Sequence, residues 1–227
     1  MQDQLADHII HQPIQTLFGF DVEVVPLLGI GLGLTSLALG IRPRLASVPF
    51  ALTALTAFLY RDPDRQLPLD QSMLFAAADG VVFHIDEIYE HRFLHTDAVR
   101  ISTIMTPFDV AINRSPLAGT VRYVEYVAGQ HALPWTNVAT EQNTRTYIGL
   151  ETAWGPVLIV QIAGPLARRL VNRVQPGDVL AAGTRIGTVR FGGRVDVLVQ
   201  RDIIDPLIYA GQHLTAGRTA LARLIAL

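Results

Sequence analysis

Side chains able to carry chemistry are few in this chain and fall in short clusters. His84, His91 and His95 lie within twelve residues, with Glu87 and Glu90 among them. On a helix His91 and His95 would share a face at a zinc-binding spacing. The segment has no helical pattern, so no metal site is expected there. Asp79 precedes Gly80, a pair that most often makes a turn but can also supply a carboxylate for proton transfer. Asn113-Arg114 and the Asn143 to Arg145 stretch set amides beside guanidinium forks, which suit phosphate and carboxylate groups. Arg194 lies two residues from Asp196, most simply a surface or cross-strand contact. His131, in Gly129-Gln130-His131, is an isolated base.

Composition removes several chemistries at once. The chain has no cysteine, hence no disulfide, thiolate nucleophile or cysteine metal site. It has no lysine either, since all 18 basic residues are arginine, which rules out a pyridoxal-phosphate Schiff base and a biotinyl or lipoyl lysine. A formal charge of −2, with no zinc-finger, RNA-recognition or helix-turn-helix signature, argues against nucleic acid. Hydrophobic content of 50% and a mean hydropathy of +0.32 point instead to contact with a membrane.

The elements that must position these residues read as follows. A short amphipathic helix is expected over Ile9 to Phe20, without the basic start of a signal peptide. Val24 to Ile41 and Leu45 to Tyr60 are uncharged runs separated by Arg42-Pro43-Arg44, which predicts a membrane-associating helical hairpin within residues 1–60. From 61 to 227 short apolar segments alternate with turn residues, predicting a β-domain. Pro165 to Arg173 is its best helical pattern. Gly187 to Val199 predicts a β-hairpin, with Gly192-Gly193 as the turn. Gly119-Thr120-Val121-Arg122-Tyr123 is echoed by Gly187-Thr188-Val189-Arg190-Phe191, and Gly-x-x-Leu-x-Ala-Gly occurs at Gly177 to Gly183 and at Gly211 to Gly217. The fold class is therefore α+β, mostly β, with two similar units resembling the barrel-sandwich hybrid of carrier domains.

Six blocks occur in an order that carries a specific resemblance. They are Phe58 to Arg65, Ala77-Ala78-Asp79-Gly80-Val81-Val82, Thr106 to Pro116, Ala139 to Arg145, Gln161-Ile162-Ala163-Gly164 with Arg168-Arg169, and Phe191-Gly192-Gly193-Arg194-Val195-Asp196-Val197. In these the chain resembles the short, single-domain branch of the phosphatidylserine decarboxylase family, over about residues 58 to 222. The resemblance implies a chain that cleaves itself at a Phe-Gly-Ser turn, assisted by an Asp and a His, to make a pyruvoyl group. That group is the electron sink for decarboxylation.

Asp79 stands at the position of the family's Asp, but Gly193 replaces the serine and Ala111 the histidine. The resemblance so modified implies a non-catalytic phospholipid-binding or regulatory homologue without a pyruvoyl cofactor. Asn113, Arg114, Asn143, Arg145 and Arg194 would line its headgroup pocket, with His131 as a substitute base. The expected partners are a phospholipid headgroup, the membrane, and a second copy or an active decarboxylase. The expected location is the cytoplasmic membrane, with the β-domain in the cytoplasm. The alternative is an active decarboxylase that processes itself elsewhere, at Gly183-Thr184 or Gly187-Thr188.

Overall fold

The computed structural model describes residues 16–17, 19–66, 70–136, 141–166 and 170–225. The chain divides between Asp64 and Arg65 into two compact units. In the first, β1 (Thr16–Leu17) pairs with β2 (Phe20–Asp21), and two helices follow, α1 (Val25–Ile41) and α2 (Ser47–Leu59). Strand pairing at 16–21 replaces the amphipathic helix expected to reach Phe20, because Gly19 takes a left-handed turn (φ 76°) between the two strands; residues 9–15 lie outside the described set.

The two uncharged runs form α1 and α2, joined by a 3-10 turn at Pro43–Leu45. Pro26 opens α1, where its missing N–H is not needed. The helices pack closely at Gly31, where a β-carbon would fall 2.2 Å from Thr53 Oγ1. Each hydroxyl along the pair is satisfied within its own helix, Thr35 by Gly31 O at 2.8 Å and Thr53 by Pro49 O at 2.7 Å. Leucines, by contrast, point outward, with Leu27, Leu37, Leu52 and Leu55 all exposed. At 1.5 Å per residue α1 is roughly 26 Å long, and no helix among the described residues is long and apolar enough to cross a membrane.

Among the described residues the second unit holds fourteen strands. The first seven are β3 (Met73–Phe75), β4 (Gly80–Glu90), β5 (Thr96–Met105), β6 (Ile112–Arg114), β7 (Gly119–Val127), β8 (Arg145–Thr152) and β9 (Gly155–Ala163). Then follow β10 (Leu170–Asn172), β11 (Val179–Leu180), β12 (Arg185–Val189), β13 (Gly193–Gln200), β14 (Ile204–Pro206), β15 (His213–Leu214) and β16 (Ala220–Leu224). An eight-stranded, curled antiparallel sheet runs β11-β7-β8-β9-β13-β5-β4-β15, flanked by three-stranded sheets β10-β12-β6 and β14-β16-β3. Strand alternation sends Val195, Val197 and Val199 of β13, Ile101 of β5, Ile159 of β9 and Ile148 of β8 into one core. Each such side chain contributes about 1.5–3 kcal/mol by leaving water.

Of the two sequence echoes, Gly-x-x-Leu-x-Ala-Gly appears as symmetry of the large sheet, whereas residues 119–123 fall in β7 and residues 187–189 in β12 of a different sheet. Leu180 pairs with Gly119 at one edge and Leu214 with Gly80 at the other. Each edge strand is then followed by a left-handed glycine, Gly183 or Gly217, whose amide is donated to Ser115 O at 2.8 Å or Ala76 O at 2.7 Å. Two units of similar plan thus meet at β9 and β13, and the chain is α+β and mostly β.

Two local expectations fail. Val189 and Val195 do not face each other across a hairpin: β12 pairs with β10 and β6, whereas β13 pairs with β5 and β9. Both valines enter the same core from different sheets, so their alternation mimics a hairpin. Phe191 (φ 62°) and Gly192 (φ 85°) take the left-handed conformations of the turn, and Gly193 already belongs to β13. Of the stretch Pro165 to Arg173, the described residues form a bend at Pro165-Leu166 and then β10, where Leu170 pairs with Val189, in place of the expected helical pattern; residues 167–169 lie outside the described set.

Candidate functional site

Register brings positions 79, 111 and 193 to one end of the large sheet. Gly193 pairs with Met105, the last residue of β5, and Val81 with Ile104, so Asp79 leads into β4 at that same end. Val189 joins position 111 to the cluster, donating its amide to Ala111 O at 2.9 Å. Gly164 explains the last residue of its block: a β-carbon there would lie 2.8 Å from Gly192 O, so backbone packs directly on that carbonyl. A β-carbon at Gly193 would stand 2.6 Å from Ile162 O and 2.6 Å from Val189 Cγ1.

Asp79 is held on all sides. Arg65 grips it with two hydrogen bonds of 2.6 and 2.7 Å, and the Ala216 amide adds a third at 2.8 Å. The same guanidinium donates to Ala216 O at 2.7 Å. Sequence reasoning passed over Arg65, although it lies in the first of the six blocks.

The five polar residues expected to line one headgroup pocket are instead dispersed, and none of them lines the cavity beside Gly193. Asn113 is fully buried, taking 2.7 Å from Gln161 Nε2 and giving its amide to Met105 Sδ at 3.6 Å. Arg114 is buried with Nη1 3.0 Å from Gly183 O, and so braces a turn. Asn143 fastens a loop, accepting from Ala132 N at 2.8 Å and donating to Ala132 O at 2.8 Å and Ala163 O at 2.7 Å. Arg145 and Arg194 share the face of the sheet opposite the main core, both pairing across to Ile162. There Arg194 and Asp196, with side chains only 2% and 3% exposed, form a bidentate pair (2.6 and 2.8 Å), with Ser102 Oγ at 2.9 Å from the guanidinium. Alternation decides this outcome, because neighbours in sequence point to opposite faces of a strand.

His131 is exposed in the loop that Asn143 fastens. The histidine cluster is not helical: β4 ends at Glu90, residues 91–94 turn, and β5 begins at Thr96. Glu90 is no free ligand, since it accepts the amides of Arg92, Phe93 and Leu94 at 2.7–2.8 Å. No group of three or more His, Asp or Glu suited to a metal occurs among the described residues. The glycine-threonine pairs differ in setting: Thr188 lies inside β12 between two paired strands, and Gly183-Thr184 is the turn that Arg114 braces.

His84 lies on the polar face, 3.3 Å from Ser102 Oγ and 3.5 Å from Asp86. Burial, and then the Arg194 charge, hold its pKa below the ordinary 6.5. The unfolded chain therefore binds this proton first, so the His84 contribution is complete above about pH 6.5 and declines as pH falls toward its folded-state value. We expect the melting temperature to fall from pH 7.5 to 5.5, with a shallower fall in His84→Gln. Equal slopes would remove the histidine from that account.

Beside Gly193 a cavity of about 230 Å³ opens, with an almost wholly apolar lining. Ile104 to Pro107 form one wall, Leu133, Pro134 and Trp135 a second, and Pro165, Leu166 and Phe191 to Gly193 the remainder. Sequence reasoning did not single out Leu133-Pro134-Trp135, an apolar run between turn residues that was visible in the text of the chain.

The sequence profile described as phosphatidylserine decarboxylase matches residues 52–222. A phosphatidylserine decarboxylase proenzyme of Carboxydothermus hydrogenoformans is 37% identical over 175 residues, covering 77% of this chain and 82% of that protein. One from Symbiobacterium thermophilum is 38% identical over 200 residues, 88% and 93% of the two chains. A third, from Desulfotalea psychrophila, is 34% identical over 205 residues, 89% and 95%. The family is pyruvoyl-dependent. With positions 79, 111 and 193 gathered at one sheet end, a family model matching residues 52–222, and a relative covered over 93% of its length, the chain belongs to the phosphatidylserine decarboxylase family.

Proposed function

We propose that this chain is a phosphatidylserine decarboxylase homologue that does not process itself, and that it serves in phospholipid metabolism as a lipid-binding or regulatory protein. The observation that carries the reading is Gly193, which stands where the resemblance puts the family's serine. The residues present do not fit a pyruvoyl group. Its formation needs a side-chain oxygen to attack the preceding carbonyl and then to leave, and glycine offers hydrogen at both steps. The crowding at 193 supports the same view, as does Ala111 in place of the histidine.

The apolar cavity beside Gly193 suits the glycerol and upper acyl region of a lipid, and the leucine-covered hairpin suits the bilayer from which the lipid would come. On this reading the protein sits on the cytoplasmic membrane, alone, as a homodimer or beside an active decarboxylase. Phospholipid should copurify in stoichiometric amount and fall away when the cavity is filled by Leu133→Trp. Purified protein free of lipid, with and without added phospholipid vesicles, would count against binding.

Restoring the oxygen alone will not restore processing. Gly193→Ser must push aside the Ile162 carbonyl and Val189, at a cost of about 1–3 kcal/mol, and Ala111 still supplies no base. We expect uncut chain with a lowered melting temperature on intact-mass and thermal-shift measurement. Rapid cleavage of that variant would show that serine is the only missing part.

A further inference from the structure

Arg194 meets Ser102 as a hydrogen-bond donor only. A guanidinium has no lone pair to offer, so the Ser102 oxygen accepts from Arg194 Nη2 at 2.9 Å and its single proton must go elsewhere. The one acceptor within reach among the described residues is His84 Nε2, at 3.3 Å. In the neutral ring Nε2 is therefore the bare nitrogen, and the ring proton sits on Nδ1.

His84 also lies at an irregularity of the sheet. Val82 pairs with Thr103 and His84 with Ser102, so Phe83 is an extra residue in β4, a bulge at which the β4–β5 ladder is interrupted. Its ring packs edge-on against His84, with centroids 4.7 Å apart. The Ser102–His84 contact thus ties β4 to β5 through side chains at the point where backbone pairing lapses.

Protonation reverses the contact. An imidazolium carries a proton on both nitrogens, so Nε2 would turn an N–H toward an oxygen that already takes one from Arg194, and the buried Ser102 proton would lose its acceptor. Asp86, 3.5 Å from Nε2, is the alternative partner, but it is shared with Arg100, whose Nε donates to it at 2.9 Å. The charged groups facing His84 are these two together with Arg194 and Asp196 of β13, and burial, then the Arg194 charge, resist protonation until the solution is acid.

We infer that His84 and Ser102 form a proton-operated latch across the Phe83 bulge, closed while the imidazole is neutral and released when it takes up a proton. The latch is a device of the β-unit itself and stands independently of the lipid-binding reading.

Nitrogen-15 NMR of the full chain in detergent, with the His84 signals identified by their absence in His84→Gln, tests it. At pH 7.5 Nε2 should resonate as an unprotonated ring nitrogen, and the ring should titrate below the ordinary 6.5. Ser102→Ala should raise that midpoint by about half a pH unit, roughly a threefold gain in proton affinity, whereas Ser102→Thr, which keeps a hydroxyl, should leave it in place. Across the same midpoint in the unmodified chain, hydrogen-exchange protection of the β4 amides beside Phe83 should drop about tenfold, the weight of one hydrogen bond. A proton on Nε2 of the neutral ring, an unchanged midpoint in Ser102→Ala, or protection that stays constant through the titration each overturns the proposal. If Ser102→Ala does not fold, the tautomer and the exchange profile of the unmodified chain decide the matter alone.

Discussion

Asp196→Ala should destabilise the protein by about 3–5 kcal/mol, the usual consequence of removing one partner from a buried ion pair. The carboxylate accepts from Nε and Nη2 of Arg194 at 2.6 and 2.8 Å, in a site where neither side chain is more than 3% exposed. Its loss leaves the guanidinium without its counter-charge among Leu198, Val160 and Ile162. Replacing both residues with apolar ones, Arg194→Met with Asp196→Leu, should recover most of the stability, because desolvation of the pair offsets much of its attraction. Denaturant unfolding of the two variants measures this. A loss below about 1 kcal/mol for Asp196→Ala, on the scale of an exposed pair, would mean that Arg194 is held for a ligand rather than for the fold.

Arg65→Ala should have the second largest effect, on the order of 3 kcal/mol. Arg65 and Asp79 have side chains 7% and 15% exposed, and the guanidinium also ties Ala216 O to the same point. Without it Asp79 keeps only the Ala216 amide among these contacts. Asp79→Asn removes the charge but keeps a carbonyl acceptor, so it should cost less. The double variant should cost clearly less than the sum of the two, since both act on one interaction. Additive losses would show that the two residues stabilise the β-unit separately.

Much of this architecture was legible in the residues themselves. The uncharged runs on either side of Arg42-Pro43-Arg44 become α1 and α2, and the two Gly-x-x-Leu-x-Ala-Gly stretches become matching edges of one sheet. Both signals are local, set by hydropathy and by glycines at positive φ. Strand partnership is not local. The Val189 and Val195 alternation correctly gave two strands but could not say that they belong to different sheets or that both are buried on both faces.

The same limit governs the site. The ordered blocks located positions 79, 111 and 193, and register gathers them at one end of β5. Asn113, Arg114, Asn143 and Arg194 looked like ligand donors because their chemistry permits it, yet their hydrogen bonds are spent inside the protein. A buried amide or guanidinium must find partners, and residue type alone does not reveal whether those partners are internal. Leu133 and Trp135 escaped notice for the converse reason, and Leu166 was read only as part of a helical pattern: single apolar residues in loops are common, and only their convergence around Gly193 gives them meaning.

The central claim concerns one bond, the peptide between Gly192 and Gly193. Intact-mass spectrometry of the freshly purified protein measures it directly. An unbroken chain of 227 residues is the expected result; two fragments meeting at 192/193, or a ketone at a new N-terminus, would contradict it.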